Sequence, residues 1–561
     1  MEKKQAITLG VIVLIVAAGI GIGVYFVLPK GPSRTTLVVG VGSGPIDLEP
    51  QFAWDSASVD VIDQVCEGLF TYDLAQPNTP LIPRLASDFG TWTVDELNYT
   101  VPLRNDVLFH DGTAFNASAV KFTFDRLQYL LDNHLTQIAE LYEYYEPTED
   151  KFYQIINTTE VVDTYTVKFV LNKPYGPFVD LLTFVTSYIL SPTSTPATEL
   201  IKTASGDIVG TGPFVYDGYE AGVEVNFHSW EQYYRPPPSI KTLTFSVIED
   251  TAARQVALVT GDVDLLPGPW PAVLDLFESD PGVSMIYGGQ TSATGYLGMN
   301  NLLIPVELRE AISYALDYDY IIENIYYDQG VRLTSPIPAG VPYHNDTLDY
   351  PIYNVTYARQ VIVDSASYSQ APTNLTDDAA WLALTDDTDP AYDPIASYNY
   401  SYNIDNEIRA DIGELLMDWL PYIGIEVVDA GSAWGEFVRK LYEISPYSRN
   451  DLALYYVGWI PDYNDPSNFI NPLFTNRSVG ANGAQFNDPE VQVWMEEALF
   501  TANETLRESL YQQIQEKIVE ELYPWALCMQ GVDNNAYNAG IKTGPPTNVM
   551  GKLYLYPVEW A

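Results

Sequence analysis

Histidine, cysteine and basic side chains are all scarce in this 561-residue chain, which has four His, two Cys and 27 Lys plus Arg against 74 Asp plus Glu. Four scattered histidines supply no ligand cluster for a transition metal. Two cysteines make no disulfide framework, and the apolar neighbours of Cys66 in QVCEGLF and Cys528 in PWALCMQ lead us to expect two buried thiols. A formal charge of −47 leaves no basic face for a phosphate backbone, which excludes nucleic acid as a partner. GxSxG, HExxH and paired Cys/His motifs are missing, and Gly40, Gly42 and Gly44 lack the GxGxxG spacing of a nucleotide loop. The expectation is a protein that is not an enzyme and carries no cofactor.

What is present is globular. Hydrophobic residues make up 47% and charged ones 18%, the balance of a chain that buries a core rather than staying disordered. At this length one core is not enough, so two or three domains are expected.

Residues 6–28, AITLGVIVLIVAAGIGIGVYFVL, are almost unbroken hydrocarbon between Lys3-Lys4 and Pro29-Lys30. At ~1.5 Å per residue such a helix spans a bilayer of roughly 30 Å. It is longer than a usual signal-peptide core and no lipobox cysteine follows, so it reads as an uncleaved single-pass anchor, with a cleaved signal as the alternative. The short basic tail places the body on the extracellular face of the cell membrane. Nine Asn-x-Ser/Thr sequons, at Asn98, Asn116, Asn157, Asn345, Asn354, Asn374, Asn399, Asn476 and Asn503, suit a glycoprotein on that side.

Along the body, TTLVVGVGSGP reads as a strand running into a Gly-rich loop, where Gly42 and Ser43 let the backbone approach a ligand closely. Val59, Ile62, Val65, Cys66 and Leu69 follow at helical spacing. A strand around Tyr99–Leu103, a His110-Asp111-Gly112 turn and a helix capped near Asn116 come next, with Val120, Phe124 and Leu127 on one helix face. Asn300 sits at the end of a strand, and residues 365–396, rich in Ser, Thr, Asp and Tyr, read as an exposed insertion. The helix at 408–422 carries Arg409 at its start, and Trp434 follows the next strand.

Residues 457–474, VGWIPDYNDPSNFINPLF, read as a strand end followed by a turn crowded with Pro, Asp and Asn. By local chemistry alone, Asp462 and Asp465 are turn residues that cap their own backbone. The stretch also resembles the Gly-Trp-x-x-Asp-Tyr-x-Asp-Pro-x-x-Phe signature of the family 5 extracellular solute-binding proteins, the peptide, dipeptide and nickel receptors of ABC importers. LIPRLA, NYTVPLR and FHDGTAF resemble that family's N-terminal signature in order and spacing, and GTGPF, YYR, Leu-x-x-Gly-x-x-Asp and Arg-x-Ala-x-x-Tyr-Ala-x-Asp segments continue the likeness.

The resemblance implies an α/β, two-lobe periplasmic-binding-protein fold of class II (cluster C) type, with an extra subdomain in the first lobe. Residues 1–34 would then be anchor and linker, 35–270 lobe I with a subdomain at about 70–208, 271–485 lobe II, and 486–561 the return to lobe I. It further implies a peptide ligand, hinge closure, and an ABC permease with its ATPase subunits as partner. In the peptide receptors the Asp matching Asp462 holds the ligand's α-ammonium group, with Gly458, Trp459 and Tyr463 beside it. Arg409 lies near the position where dipeptide receptors place an Arg for the ligand carboxylate. An oligosaccharide is the alternative ligand within the fold, because the chain is rich in rings, and Trp270, Trp434 and Trp459 are its candidate platforms. A membrane-anchored hydrolase and a signalling receptor are the readings outside it.

Overall fold

Two long antiparallel strands, Val283–Met299 and Trp525–Asn538, run through the middle of an eleven-stranded sheet and carry the chain between its two halves. This is seen in a computed structural model that describes residues 34–561 apart from 77, 147–148, 202–207, 405, 443–450, 477–480 and 502. The expected anchor at residues 6–28 lies outside the described residues, none of whose helices is long and apolar enough to cross a membrane.

At one end of the long pair, Tyr537 faces Leu265, and the sheet continues through Thr36–Val41, Thr242–Val247, Glu224–Ser229 and Phe214–Glu220. Thr36–Val41 runs parallel to Thr242–Val247, and its Leu37 and Val39 are fully buried, as expected of a strand flanked on both sides. At the other end, Thr294–Met299 pairs with Leu454–Trp459, followed by Ala396–Ser401 and Ile425–Asp429. Along this pair the ladder slips three times, from Tyr287 to Gln290, from Gln290 to Thr294 and between Gly295 and Tyr296. Gly288 sits at the first slip, where an added Cβ would fall 2.1 Å from the Asp533 carbonyl. The sheet is thus least regular where the chain crosses between halves.

Each half has its own core. Residues from Leu37 to Leu265 and from Ile541 to Trp560 form one cluster, which Tyr463 joins from the other half. In the second half the period of two along the strands sorts side chains to opposite faces of the sheet: Tyr296, Tyr455 and Trp525 pack on one side, Leu297, Tyr456 and Ala526 on the other. The two cysteines are free and buried, Cys66 in the first core and Cys528 in the second.

The first half also holds a four-stranded antiparallel sheet of Thr91–Trp92, Asn98–Pro102, Thr166–Leu171 and Ile156–Asp163. The helix Ala117–Asp132 covers it, with Phe124 edge-on to Phe169 at 4.9 Å. Its cap is the expected one: the Asn116 side chain accepts from the Ser118 and Ala119 amides. Arg126, on the same helix, forms a fully buried two-pronged ion pair with Glu49, at 2.9 and 2.6 Å. His110 takes the expected turn position and bonds the Gly212 carbonyl at 2.9 Å, and burial lowers its pKa to about 4.

Residues 365–396 are exposed or half-buried at all but three positions, in keeping with the expected exposed insertion, yet the segment is anchored. Trp381 in the helix Asp378–Leu382 is fully buried and donates to the Asn374 carbonyl, while Arg359 reaches across to Asp378 at 2.7 Å. One large ring in a polar sequence anchors the segment, a signal that average composition hides.

Candidate functional site

The strand Leu454–Trp459 ends in a loop that turns into the helix Ser467–Phe474, and this loop reaches from the second half of the molecule onto the first. Three contacts make the crossing. Trp54 donates its indole N–H to both oxygens of Asp462 at 3.1 Å. The Asn464 amide donates to the Tyr72 hydroxyl at 2.8 Å, and Tyr463, 1% exposed, inserts into the first core.

Asn468 organises the loop from the first turn of the following helix. Its amide N–H donates to Asp462 Oδ2 at 2.8 Å, while its Oδ1 accepts from the Asp462 backbone amide at 2.9 Å and from Trp459 Nε1 at 3.3 Å. Asp462 is therefore held by neutral donors. Half-buried, it makes no ion pair with a cation among the described residues, and burial pushes its carboxyl up to about 6 although Asn468, Trp54 and the Lys552 charge act in the opposite sense. Among the described residues the Lys552 charge acts on this carboxyl without forming an ion pair with it.

Asp465 behaves differently from its neighbour. It accepts from Arg507 Nη2 at 3.0 Å on both oxygens and from the Ser467 amide at 2.8 Å, so it combines the expected turn chemistry with a buried ion pair. Gly458 is required by its strand: a Cβ there would lie 2.5 Å from the Thr294 carbonyl of the paired strand. Trp459 is buried, its ring edge-on to Trp54 with centroids 6.1 Å apart.

The other sequence candidates fall in three further places. Arg409 donates to Asn403 Oδ1 at 2.5 Å and lies over the Trp434 ring at 5.6 Å, Trp434 being 39% exposed. Asn300 is fully buried, donating to the Leu452 carbonyl at 2.9 Å and accepting from the Leu302 amide, a role in shaping its turn. Gly42 and Ser43 border a cavity of about 230 Å³ together with Asp60 and Arg254. Burial and the nearby Asp63 raise the Asp60 carboxyl to about 7, while Lys552 opposes the shift. Trp270, Trp434 and Trp459 share no ring contact with one another among the described residues. Nor, among those residues, do three His, Cys, Asp or Glu side chains gather as a metal site.

Sequence reasoning missed Trp54, Asn468, Tyr72 and Lys552. Asn468 stands six positions after Asp462, on the first turn of a helix whose start the turn residues announce, so its reach back was open to inference. Trp54 is 408 positions away from Asp462, and no local pattern connects the two.

Comparison with known proteins gives one consistent picture. The family model for "Bacterial extracellular solute-binding proteins, family 5 Middle" matches residues 80–481. Heme-binding protein A of Haemophilus influenzae is 27% identical over 519 residues, covering 88% of this chain and 87% of that protein. The dipeptide-binding protein of Escherichia coli is 26% identical over 501 residues, covering 86% of each. Among solved structures, the periplasmic binding protein DppA of Helicobacter pylori in complex with the peptide STSA superposes with a TM-score of 0.75 at 20% identity, covering 94% of this chain and 98% of that one. NikA of Brucella suis in complex with Fe(III)-EDTA gives 0.77 at 21% identity, covering 94% and 100%. The two-lobe α/β binding-protein fold follows from these superpositions.

Proposed function

Because this chain belongs to family 5 of the bacterial extracellular solute-binding proteins, we propose that it captures peptides by closing its two lobes on them and delivers them to an ABC permease with its ATPase subunits. The observation that carries the peptide reading is Asp462: a strand-end carboxylate, fixed by Trp54 and Asn468, without a cationic partner in an ion pair among the described residues. A peptide's α-ammonium group would pair with that carboxylate in a charge-assisted contact of ~1.5–3 kcal/mol.

Trp54 and Asp462 stand on opposite halves and bond directly, so a ligand that reaches Asp462 beside Trp54 contacts both lobes only when they are together. Such a ligand favours the closed arrangement by differential contact, the requirement for hinge closure. The relatives are named for heme, glutathione and dipeptides; an ammonium-seeking carboxylate favours the last two chemistries. Residues 6–28 would hold the receptor at the outer face of the membrane, beside its permease.

Native mass spectrometry of the purified chain, with identification of what is released on denaturation, tests the assignment. Released peptides, and retention lost in Asp462→Ala, are the expected result. Released sugar or heme in place of peptide overturns it.

A further inference from the structure

The Asp462 carboxylate is met from the first half of the molecule by one donor, the indole N–H of Trp54, which stands 3.1 Å from Oδ1 and 3.1 Å from Oδ2. Equal distances put the hydrogen between the two oxygens, in front of the carboxylate. A cation that contacts both oxygens at once needs that same position. Asn468 supplies the second donor, to Oδ2 at 2.8 Å. The other crossing contacts of this loop, Tyr72 with the Asn464 amide and Tyr463 in the first core, leave the carboxylate to Trp54 and Asn468.

Trp54 is held by its backbone and free to let go with its side chain. The Phe52 and Ala53 amides donate to the Glu49 carbonyl at 3.0 and 2.8 Å, and Asp55 caps the helix Ser56–Val65 by accepting from the Ser58 amide, so the main chain is fixed on both sides of the residue. The ring is half-buried and lies edge-on to Trp459, with centroids 6.1 Å apart. A change of rotamer withdraws the N–H while the main chain stays in place. One proton shared between two oxygens is a weaker bond than a linear one, and its donor is neutral. An ammonium group brings a full charge and three protons, each able to align with an oxygen in a shorter, charge-assisted bond. The exchange favours the ammonium group.

We propose that the Trp54 indole is a built-in stand-in for the ligand's ammonium group: it holds the Asp462 carboxylate until a ligand displaces it, and so sets how much a ligand must contribute in order to bind. The inference rests on the peptide reading for the identity of the ligand, but not for the contact that is displaced. In a chain of formal charge −47 the field of the protein concentrates small cations around it. A bare cation has to offset the lost indole bond from the carboxylate contact alone, whereas a peptide adds its remaining contacts. Trp54 thereby keeps the site for ligands larger than an inorganic ion.

The test uses the full chain in detergent, isotope-labelled at its tryptophan nitrogens, with the Trp54 indole resonance identified by its loss in Trp54→Phe. Saturation with Ala-Ala is expected to move that resonance to the position of an indole released from a carboxylate. By calorimetry Ala-Ala should bind about tenfold tighter to Trp54→Phe than to the wild type, as for removal of a competing hydrogen bond to a charged group. Methylammonium should likewise compete at about tenfold lower concentration in Trp54→Phe, with ionic strength held constant by tetramethylammonium, which has the charge without an N–H. A Trp54 that only supported the fold would give weaker binding when replaced. A resonance that stays in place at Ala-Ala saturation, or affinity in Trp54→Phe equal to or below that of the wild type, overturns the proposal; Trp54→Leu serves the same comparison should Trp54→Phe fail to fold. Where neither Ala-Ala nor a mixed dipeptide library binds, methylammonium alone decides: movement of the Trp54 resonance keeps the stand-in and removes the peptide function, and no movement removes both.

Discussion

Asp462 and Asp465 stand three positions apart in one turn, yet their surroundings give them opposite tasks. Asp465 has the Arg507 guanidinium, and its charge is spent inside the fold; Asp462 has only neutral donors. Removing the Asp462 carboxylate is expected to weaken peptide binding by roughly 2–4 kcal/mol, as for a desolvated charge pair, and an Asp462→Ala protein with wild-type affinity by calorimetry would detach the residue from the site. The pH dependence follows from the carboxyl at about 6. Above that value the group is charged and attracts the ammonium; below it a proton competes, so peptide affinity should be about tenfold weaker at pH 5 than at pH 7. Asp462→Asn should flatten this profile. The place of Asp462 in a strand-end turn was legible through the motif around it. That of Trp54 was not, because indole N–H donors are recognised by what they face.

At the scale of elements, the loop after Leu454–Trp459 is positioned from both ends. Gly458 lets the strand approach Thr294, and the Arg507–Asp465 pair ties the loop to the helix Glu504–Glu516. Arg507→Ala leaves Asp465 buried without its partner and is expected to destabilise the protein by about 3–5 kcal/mol, read as a lower denaturation midpoint in urea. Gly458→Ala forces a Cβ toward a backbone carbonyl, and a loss of about 1–3 kcal/mol is expected from such overpacking. Strands and helices with strong periodicity, such as Thr36–Val41 and Ala117–Asp132, were visible in the sequence along with the Asn116 cap. The exposed character of residues 365–396 was visible too; the burial of Trp381, Leu384 and Ile395 within it was not, because average composition hides a few apolar residues.

For the whole molecule, buried carboxylates set the response to pH. Asp60 and Asp180 are raised to about 7, and Asp462 to about 6, in each case by burial first. Raised carboxyls bind protons more readily in the folded than in the unfolded chain, so their contribution to stability is full below about pH 4 and is lost as pH rises through 6 to 7. His110, lowered to about 4, works in the reverse sense: its contribution is present above about pH 6.5 and is lost as pH falls through 4. Asp55, Glu143, Asp264, Asp411 and Asp533 are raised as well and act with these carboxyls against His110. Asp111, lowered to about 2, changes only in stronger acid, and the −47 formal charge adds self-repulsion that acid relieves. The ligand-free protein should therefore melt at a higher temperature at pH 5 than at pH 8, and a scan showing the reverse would contradict the assignment of these groups. The sequons bear on the same scale. Asn345 is buried and accepts from Thr347, so in a glycosylated protein mass mapping should find it bare while exposed sites such as Asn157, Asn374 and Asn399 are open to modification.

The sequence by itself determined the free state expected of two isolated cysteines, the strand-to-turn character of residues 454–466 and, through ordered motifs, the family. These are properties of composition and of short spacing, which the chain carries whatever its fold. Tertiary structure alone decided which charges meet. It set Trp54 against Asp462, Tyr463 into the opposite core, and Arg507 against Asp465, because burial and pairing depend on distances that the linear order of residues does not contain.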